Sequence, residues 1–346
     1  MKVLVIGDTH IHNHNVLGGP KIRGVNQRCR DILDALALNV QAARDHHGVA
    51  CVVQLGDFFD VARPPPPVVD AAMAMIEESQ LPWHILAGNH DILAYGAPTA
   101  IAPLGHLPQV RVYEEITRVE LSEDLHWLMV PYVSPDARVA YDLAMSQVPD
   151  VRDRPDVAFI HYAAAGHTAR SDVWPLVGVS QDPADLCIFG HEHNLLRFGG
   201  NSVALGAFCD FHFEANVEHE VLLLEGSKYT HHLAVGPWLI DRTLDQDEEI
   251  REVLKDHVFR RRRGASAVYC KTVCKRPDHA ALIAAGYFQG FLVVPPLPST
   301  KPSESLLDAP PTSSLDTLLD EEIQRLSTDP LVCQRVHQLC KDALQS

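Results

Sequence analysis

The feature that most constrains this chain is a repeated pattern in its first 193 residues, in which a short apolar run is followed directly by polar residues. Five runs end in this way, at Asp8-Thr9-His10, Gly56-Asp57, Gly88-Asn89-His90-Asp91, His161 and Gly190-His191-Glu192-His193. Short apolar runs bounded by turn residues are typical of buried strands. Open α/β sheets bind ligands at the carboxyl edge of their strands, so we expect the five clusters to lie close together.

Helical patterns lie between several of these runs. We predict helices at 27–44, 68–78 and 136–145, the second of them introduced by the run Pro64–Pro67. Strands are predicted at Lys2–Ile6, 50–55, 83–87, Val110–Tyr113, 116–121, Leu125–Val130, Val157–Ile160, Leu186–Phe189, 202–205 and 221–224. This order predicts an α/β or α+β fold of layered sheets with helices outside.

The residue types in the five clusters are those that bind metal ions. Asp8 and His10 are two positions apart at a strand end, where both can reach one ion from a turn. The carboxylate of Asp57 has two oxygens and can bridge two cations, and an Asn side-chain oxygen suits a hard divalent ion. Each cluster alone also fits an ordinary turn or helix cap. Five such strand ends in one chain predict a site for two metal ions.

The order of the clusters resembles the calcineurin-like metallophosphoesterases. The matching motifs are DTH, GDFFD, GNHD, the histidine of FIHY, and GHEH, and they cover residues 8 to 193. The resemblance implies a β-sandwich flanked by helices. It also implies which residues hold each ion: Asp8, His10 and His193 hold the first, Asn89, His161 and His191 hold the second, and Asp57 bridges them.

The resemblance further implies the cofactor and the chemistry. Manganese is the expected metal, with iron, zinc or magnesium as alternatives, because mixed oxygen and nitrogen ligands do not determine the ion. Two ions can clamp the attacking and leaving oxygens at phosphorus, and water bridging them becomes the nucleophile as hydroxide. His90 would protonate or stabilise the leaving oxygen as the catalytic residue, and Asp91 would support the site.

The residues around Asp60 indicate a substrate class. Protein phosphatases of the superfamily usually carry GDxxDRG and GNHE, whereas Asp60 is followed here by Val61 and Ala62, and the third motif is GNHD. The run GDFFDVARPPP resembles the branch of DNA nucleases that includes SbcD and phage recombination endonuclease subunits. Some members of that branch have histidine where this chain has Asp60, so the supporting role of Asp60 stays open.

The sequence texture changes after the strand-rich part. We predict a nuclease domain at 1–241, a small α+β capping domain at 242–294, a Pro/Ser-rich linker at 295–314 and an amphipathic helical pair at 315–346. The capping domain is expected to contain a helix at 246–258, a strand at 267–273, a helix at 277–285 and a strand at 291–294.

The nuclease branch has the same order of segments, and this implies partners. The capping domain would contact DNA, the terminal helices would dock on an SbcC-type coiled-coil ATPase, and the chain would form a homodimer. The basic residues Arg260, Arg261, Arg262 and Arg263 are either a solvated loop or a DNA phosphate contact. The terminal helices either pack on their own domain or bind the partner.

Composition limits the other function classes. The chain has 29 basic and 45 acidic residues, a net charge of −16, which argues against a general nucleic-acid coat but not against a nuclease whose ions supply local positive charge. No apolar run is long enough to span a membrane and the N-terminus is not a signal peptide, so we expect a cytoplasmic protein, and a phage-encoded one fits its short length. Scattered cysteines are expected to be reduced core residues.

Two alternatives from other classes remain open at the level of sequence. A phosphodiesterase for a small molecule such as a cyclic nucleotide would share every metal ligand. A catalytically silent scaffold for an ATPase would keep the fold and the partner surface without turnover. Metal-dependent cleavage of any diester would exclude the scaffold.

Overall fold

A computed structural model describes most of the residues that carry the polar clusters. The described residues are 1–122, 125–148, 154–164, 172–175, 182–193, 196–197, 201–209, 219–240, 265–272, 280 and 290–293. The chain divides into one unit formed by residues 1–211 and 217–237, and a second formed by residues 212–216 and 238–346. The domain boundaries expected from sequence stay predictions.

Most of the described strands belong to the first unit. In chain order the strands are β1 (Lys2–Ile6), β2 (Lys21–Ile22), β3 (Val25–Asn26), β4 (Cys51–Gln54), β5 (Trp83–Leu86), β6 (Val110–Tyr113), β7 (Thr117–Ser122), β8 (Leu125–Val130), β9 (Val157–Ile160), β10 (Leu186–Phe189), β11 (Leu196–Arg197), β12 (Ser202–Ala204), β13 (Glu220–Glu225), β14 (Lys228–Leu233), β15 (Gly236–Ile240), β16 (Ala265–Thr272) and β17 (Gly290–Val293). The α-helices are α1 (Gln27–Ala42), α2 (Pro66–Ser79) and α3 (Ala137–Ser146), with a π-helical turn at Ala43–His47 and a 3-10 turn at Ala102–His106.

Two six-stranded sheets form the first unit. The first sheet has the order β14-β13-β1-β4-β5-β6, and the second has the order β11-β12-β10-β9-β8-β7. In the first sheet β1, β4, β5 and β6 are parallel, and in the second β8, β9, β10 and β12 are parallel. Parallel strands end at the same edge of a sheet, so the polar residues that follow β1, β4 and β5, and those that follow β9 and β10, reach a common edge.

The core consists of three apolar layers, which follow from the alternation of side chains along each strand. In β1, Leu4 and Ile6 pack in the layer that contains residues of α1 and α2, whereas Val3 and Val5 face the second sheet. In β9, Phe159 lies between the sheets, and Ala158 lies in the layer that contains residues of α3. The result is a helix, sheet, sheet, helix arrangement, which confirms the layered α/β class expected from sequence.

The helix boundaries depend on local chemistry. Asn26 caps α1 by accepting a hydrogen bond from the backbone N–H of Cys29 at 2.9 Å. Helix α2 begins at Pro66, two residues before the predicted start, because a proline in the first turn has no N–H that needs a partner. After Ala42, α1 passes into the π-helical turn, which ends at the left-handed Gly48.

The described part of the second unit contains β16 and β17, a parallel pair in a sheet of order β15-β16-β17. They coincide closely with the strands predicted at 267–273 and 291–294. The helices predicted at 246–258 and 277–285, except residue 280, and the linker at 295–314 with the helical pair at 315–346 lie outside the described residues. Among the described helices, none is long and apolar enough to cross a membrane.

Candidate metal centre

Five loops bring the polar clusters together at one edge of the two sheets. The loops after β1, β4 and β5 come from the first sheet, and those after β9 and β10 come from the second. Parallel β4 lies next to β1 and β5, so the residues after them are neighbours. The convergence expected from sequence is therefore present for Asp8, Asp57, Asn89, His161 and His191.

One group of possible ligands consists of Asp8, His10 and His193. One ligand atom from each lies within 4.8 Å of the others. Asp8 is fully buried, and its Oδ1 accepts the backbone N–H of His191 at 3.1 Å. Its Oδ2 is also buried and has no hydrogen-bond partner among the described residues. A buried carboxylate oxygen in that position is costly unless a cation neutralises it, so this group fits a metal ion.

The second group consists of Asp57, His161 and His191, whose ligand atoms also lie within 4.8 Å of one another. Asn89 Oδ1 lies 3.2 Å from Nε2 of His161 and 2.8 Å from Nδ1 of His191. His161 Nδ1 donates to the backbone carbonyl of Leu55 at 2.7 Å, which directs Nε2 towards the other ligands. Nitrogen and oxygen lone pairs thus converge on one point.

Asp57 lies between the two groups. Its Oδ2 is 3.8 Å from Nε2 of His10, and its Oδ1 is 3.4 Å from Nε2 of His161. The two carboxylate oxygens therefore face different groups, as a bridging ligand requires. The position agrees with the role that the resemblance gives to Asp57, although that role stays a prediction.

The backbone is strained where these side chains are presented. His10, Asp57 and His191 have φ angles of 44°, 50° and 73°, in the left-handed region that side chains other than glycine rarely adopt. Each such residue costs ~1–3 kcal/mol, and strain of this kind is retained at functional sites. Since half of the six non-glycine residues with positive φ in the described ranges lie in this centre, the strain is concentrated where the ligands converge.

Two glycines allow the loops to approach so closely. A Cβ atom on Gly88 would lie 2.1 Å from both the backbone nitrogen and Oδ1 of Asp57. Gly56 has φ +110°, and a Cβ atom there would lie 2.2 Å from Nδ1 of His161. Real Cβ atoms do not approach other atoms this closely, so both positions require glycine.

Outer hydrogen bonds orient the imidazoles. Asp60 Oδ1 accepts from Nδ1 of His10 at 2.9 Å, and Asp172 Oδ2 accepts from Nε2 of His191 at 3.0 Å. Carboxylates in such positions hold the ring and increase the basicity of the ligand nitrogen. Asp60 was expected to support the site without a defined role, and this contact gives it one.

Asp172 was not predicted from the sequence. The structure places its segment beside Ala163, which donates its N–H to the Asp172 carbonyl at 3.2 Å and accepts from the Trp174 N–H at 2.7 Å. No motif contains Asp172, because it is 19 positions from its partner His191. Its role arises from tertiary contact, so no local pattern could have revealed it.

Asp91 is buried, and its carboxylate holds the backbone of two loops. Its carboxylate accepts backbone N–H groups of Phe58, Phe59 and Gly88 at 3.3, 3.0 and 2.9 Å. It therefore fastens the loop after β4 to the loop after β5. Burial, reinforced by the charge of Asp57, raises the pKa of Asp91 to about 7.

The electrostatics of the centre favour a cation. Burial raises the pKa of Asp8 to about 6, with His161 opposing the shift and the neighbouring Asp57 adding to it. Burial disfavours a charged His161, but Asp57 and Asp8 outweigh burial and raise its pKa to about 9. A site that binds a proton so strongly has a negative potential, which would also attract metal ions.

His90 occupies a different position from the ligands. Its backbone N–H donates to Asp57 Oδ1 at 2.8 Å, and its Nδ1 donates to the backbone carbonyl of Asp60 at 2.9 Å. Its side chain is 40 % exposed, in contrast to the buried His10 and His161. An imidazole held at Nδ1 and open to solvent can offer Nε2 to a bound substrate.

The arginines at 260–263, which were predicted as a possible DNA contact, lie outside the described residues.

Comparison with known proteins gives the following. A family model described as calcineurin-like phosphoesterase matches residues 1–195, and no curated protein matches the chain. Among solved structures, protein TT1561 of Thermus thermophilus is 16% identical, with 67% of this chain and 98% of that chain covered and a TM-score of 0.43. A dimetal phosphatase from Danio rerio is 12% identical, with 68% and 99% covered and a TM-score of 0.42.

The nuclease MPE of Pseudomonas putida is 15% identical, with 64% of this chain and 84% of that chain covered and a TM-score of 0.30. TM-scores below 0.5 support no argument about function, so the assignment depends on the family model. That model covers more than half of the 346 residues and includes all five loops of the candidate centre. The chain therefore belongs to the calcineurin-like phosphoesterases.

Proposed function

We propose that this phosphoesterase is a metal-dependent DNA nuclease and the nuclease subunit of an SbcCD-type recombination or repair complex. The observation that carries the phosphodiesterase part is the position of Asp57, whose two oxygens face two separate groups of ligand atoms. Two ions held side by side suit displacement at phosphorus. The assignment to DNA depends on the sequence around Asp60 and on the order of segments after residue 241.

The residues present fit a pair of divalent ions. Asp8, His10 and His193 would hold one ion, Asn89, His161 and His191 would hold the other, and Asp57 would bridge them, as the resemblance implies. The buried and unpartnered Oδ2 of Asp8 supports the first site, and the convergence on Asn89 Oδ1 supports the second. When bound, the ions polarise the phosphoryl group and lower the pKa of water towards neutrality. We propose Mn²⁺ as the native metal.

His90 would act on the leaving group. The Asp60 carbonyl can only accept a hydrogen bond, so Nδ1 of His90 carries a proton and Nε2 is left for the substrate. In the charged form, Nε2–H would donate its proton to the departing oxygen. Proton donation by a general acid accelerates such reactions by ~10²–10⁴-fold. The backbone N–H of His90 holds Asp57 at the same time, so the acid and the bridging ligand are positioned by one residue.

The DNA assignment is supported by residues that carry the resemblance to the nuclease branch. The run GDFFDVARPPP includes Asp57 and Asp60, and the basic run at 260–263 falls in the proposed capping domain. Lysine and arginine contacts to phosphates supply much of the affinity for duplex DNA. Reversing the four arginine charges should weaken DNA binding and reduce its salt dependence. Unchanged binding in both respects would remove the capping domain from the proposal.

The proposed function is tested by measuring the hydrolysis of three substrates by the Mn²⁺-loaded chain. Linear duplex DNA, a generic phosphodiester and a cyclic nucleotide are assayed side by side, with and without a co-encoded coiled-coil ATPase. The proposal predicts digestion of linear DNA and an increase when the ATPase is present. Rapid hydrolysis of the cyclic nucleotide with no digestion of DNA would establish the small-molecule alternative, and no turnover of any diester would indicate a scaffold.

A further inference from the structure

A cleft with a volume of about 430 Å³ lies next to the candidate metal centre. It is lined in part by Ile92, Tyr95, Pro98, Glu114, Glu115 and Tyr132. Its volume falls within the ~300–1,000 Å³ typical of sites for small organic groups. None of these residues holds a metal ligand position, so the cleft is a separate feature of the same loop cluster.

Tyr132 connects the cleft to the centre. Its ring centroid is 6.1 Å from that of His191, at an interplanar angle of 25°, and 5.0 Å from that of Tyr162. Its backbone N–H donates to the carbonyl of Ala87 at 2.9 Å, immediately before Gly88 and Asn89. Only the ring of Tyr132 would therefore separate a group bound against it in the cleft from His191, a possible ligand of the second ion.

The loop at 92–99 forms a wall with fixed ends and an exposed tip. Ala100 N–H donates to the Asp91 carbonyl at 2.8 Å, and Thr99 donates to Glu114 Oε1 through its backbone N–H and its hydroxyl at 3.0 and 2.7 Å. At the tip, Tyr95 is 55% exposed although it borders the cleft. An exposed aromatic ring on an anchored loop is a suitable surface for stacking.

The charges in the cleft determine what can occupy it. Glu114 and Glu115 line it, and among the described residues no lysine or arginine does. Two carboxylates would repel a further phosphate, whereas they would accept hydrogen bonds from amino, imino or hydroxyl groups. A heteroaromatic ring with N–H donors fits both features of the cleft, because it can stack on Tyr95 and donate to these carboxylates.

We propose that this cleft is a subsite for an unpaired nucleobase of the nucleotide whose phosphate is at the metal centre, with Tyr95 as its stacking surface. The proposal rests on the proposed function, because it places a phosphoester at the ions. It deepens that function, since a base bound here is separated from its complementary strand. The base belongs either to a DNA end or to a cyclic nucleotide.

Equilibrium binding tests the subsite without any need for turnover. The Mn²⁺-loaded chain is titrated with inorganic phosphate and with nucleoside 3′- and 5′-monophosphates. Stacking of a base on an aromatic ring contributes ~1–3 kcal/mol, so Tyr95→Ala should lower the ratio of nucleotide to phosphate affinity by about tenfold. Tyr95→Phe should restore the ratio. Tyr229→Ala, which changes a partly buried tyrosine on β14 that does not line the cleft, should keep the wild-type ratio.

Two further arms identify the source of the base. Hydrolysis of a single-stranded oligonucleotide is compared with that of the same oligonucleotide carrying an abasic residue at the cleaved position, and with that of a cyclic nucleotide. Two results together would show that the base belongs to a DNA end. KM for the normal oligonucleotide is about tenfold below KM for the abasic one, and Tyr95→Ala abolishes this difference.

The proposal is overturned if phosphate and nucleotides bind with the same affinity, or if Tyr95→Ala leaves the ratio at its wild-type value. A change confined to the sedimentation of Tyr95→Ala would instead mark the loop tip as a contact between copies of the chain. Failure of the proposed function has a different result, since the wild-type chain would then not digest DNA although nucleotide binding could still depend on Tyr95.

Discussion

Asp60 holds two different histidines through two different groups, His10 through its carboxylate and His90 through its backbone carbonyl. Its carboxylate Oδ1 lies 2.9 Å from Nδ1 of His10 but 3.6 Å from Nδ1 of His90, whereas its backbone carbonyl lies 2.9 Å from Nδ1 of His90. Replacement of the side chain therefore removes the partner of His10 and leaves the anchor of His90. Loss of such an outer partner weakens metal binding by ~10–100-fold.

Asp60→Ala should thus weaken Mn²⁺ binding by ~10–100-fold, with a much smaller loss of kcat at saturating Mn²⁺. Asp60→Asn should be intermediate, because an amide oxygen still accepts from His10 without the negative charge. The assay is calorimetric titration of Mn²⁺ combined with phosphodiester hydrolysis across Mn²⁺ concentrations, with Asp70→Asn on the exposed face of α2 as the control. A kcat at saturating Mn²⁺ as low as that of His90→Ala would show that the carboxylate acts through His90 instead.

Three further predictions concern other parts of the first unit. His90→Ala should keep its metal content and lose turnover by ~10²–10⁴-fold, and wild-type turnover would refute the acid role. Gly88→Ala places a Cβ 2.1 Å from Asp57 and should abolish metal binding, whereas Gly105→Ala, whose Cβ would be 3.6 Å from its nearest neighbour, should not. Burial, with Arg111 adding, lowers the pKa of His84 from 6.5 to about 4. The unfolded state therefore binds this proton first, and stability should be lost as pH falls from about 6.5 to about 4, by about 3 kcal/mol in total. Denaturant unfolding of His84→Gln should lack this part of the pH dependence, and a profile parallel to that of the wild type would contradict it.

The parts of the fold that sequence predicted are those with strong local patterns. The parallel strands β1, β4, β5, β9 and β10 have short apolar runs that end in turn residues, and burial on both faces produces such runs. β14 was not predicted. It lies at the edge of its sheet and reads KYTHHL, with only Leu233 strongly apolar, so no hydrophobic period marks it.

The same distinction applies to the candidate centre. The possible ligands were predicted because each follows closely after the end of a strand, as His191 and His193 do after β10. Asp172 and Tyr132 were not identified as parts of the centre, since their contacts with His191 cross the fold and leave no mark at any sequence spacing. The strain at His10, Asp57 and His191 was also invisible, because side chains of these types do not specify a positive φ.

We infer that two metal ions, bridged by Asp57, would make this chain a phosphodiesterase. The most direct measurement is the metal content of the chain after chelation and reconstitution with Mn²⁺, with hydrolysis of bis(4-nitrophenyl) phosphate recorded on the same samples. We expect two ions per chain, activity that requires both, and loss of the second ion in Asn89→Ala. A single ion at full activity, or hydrolysis that persists after complete removal of metal, would contradict a two-ion centre.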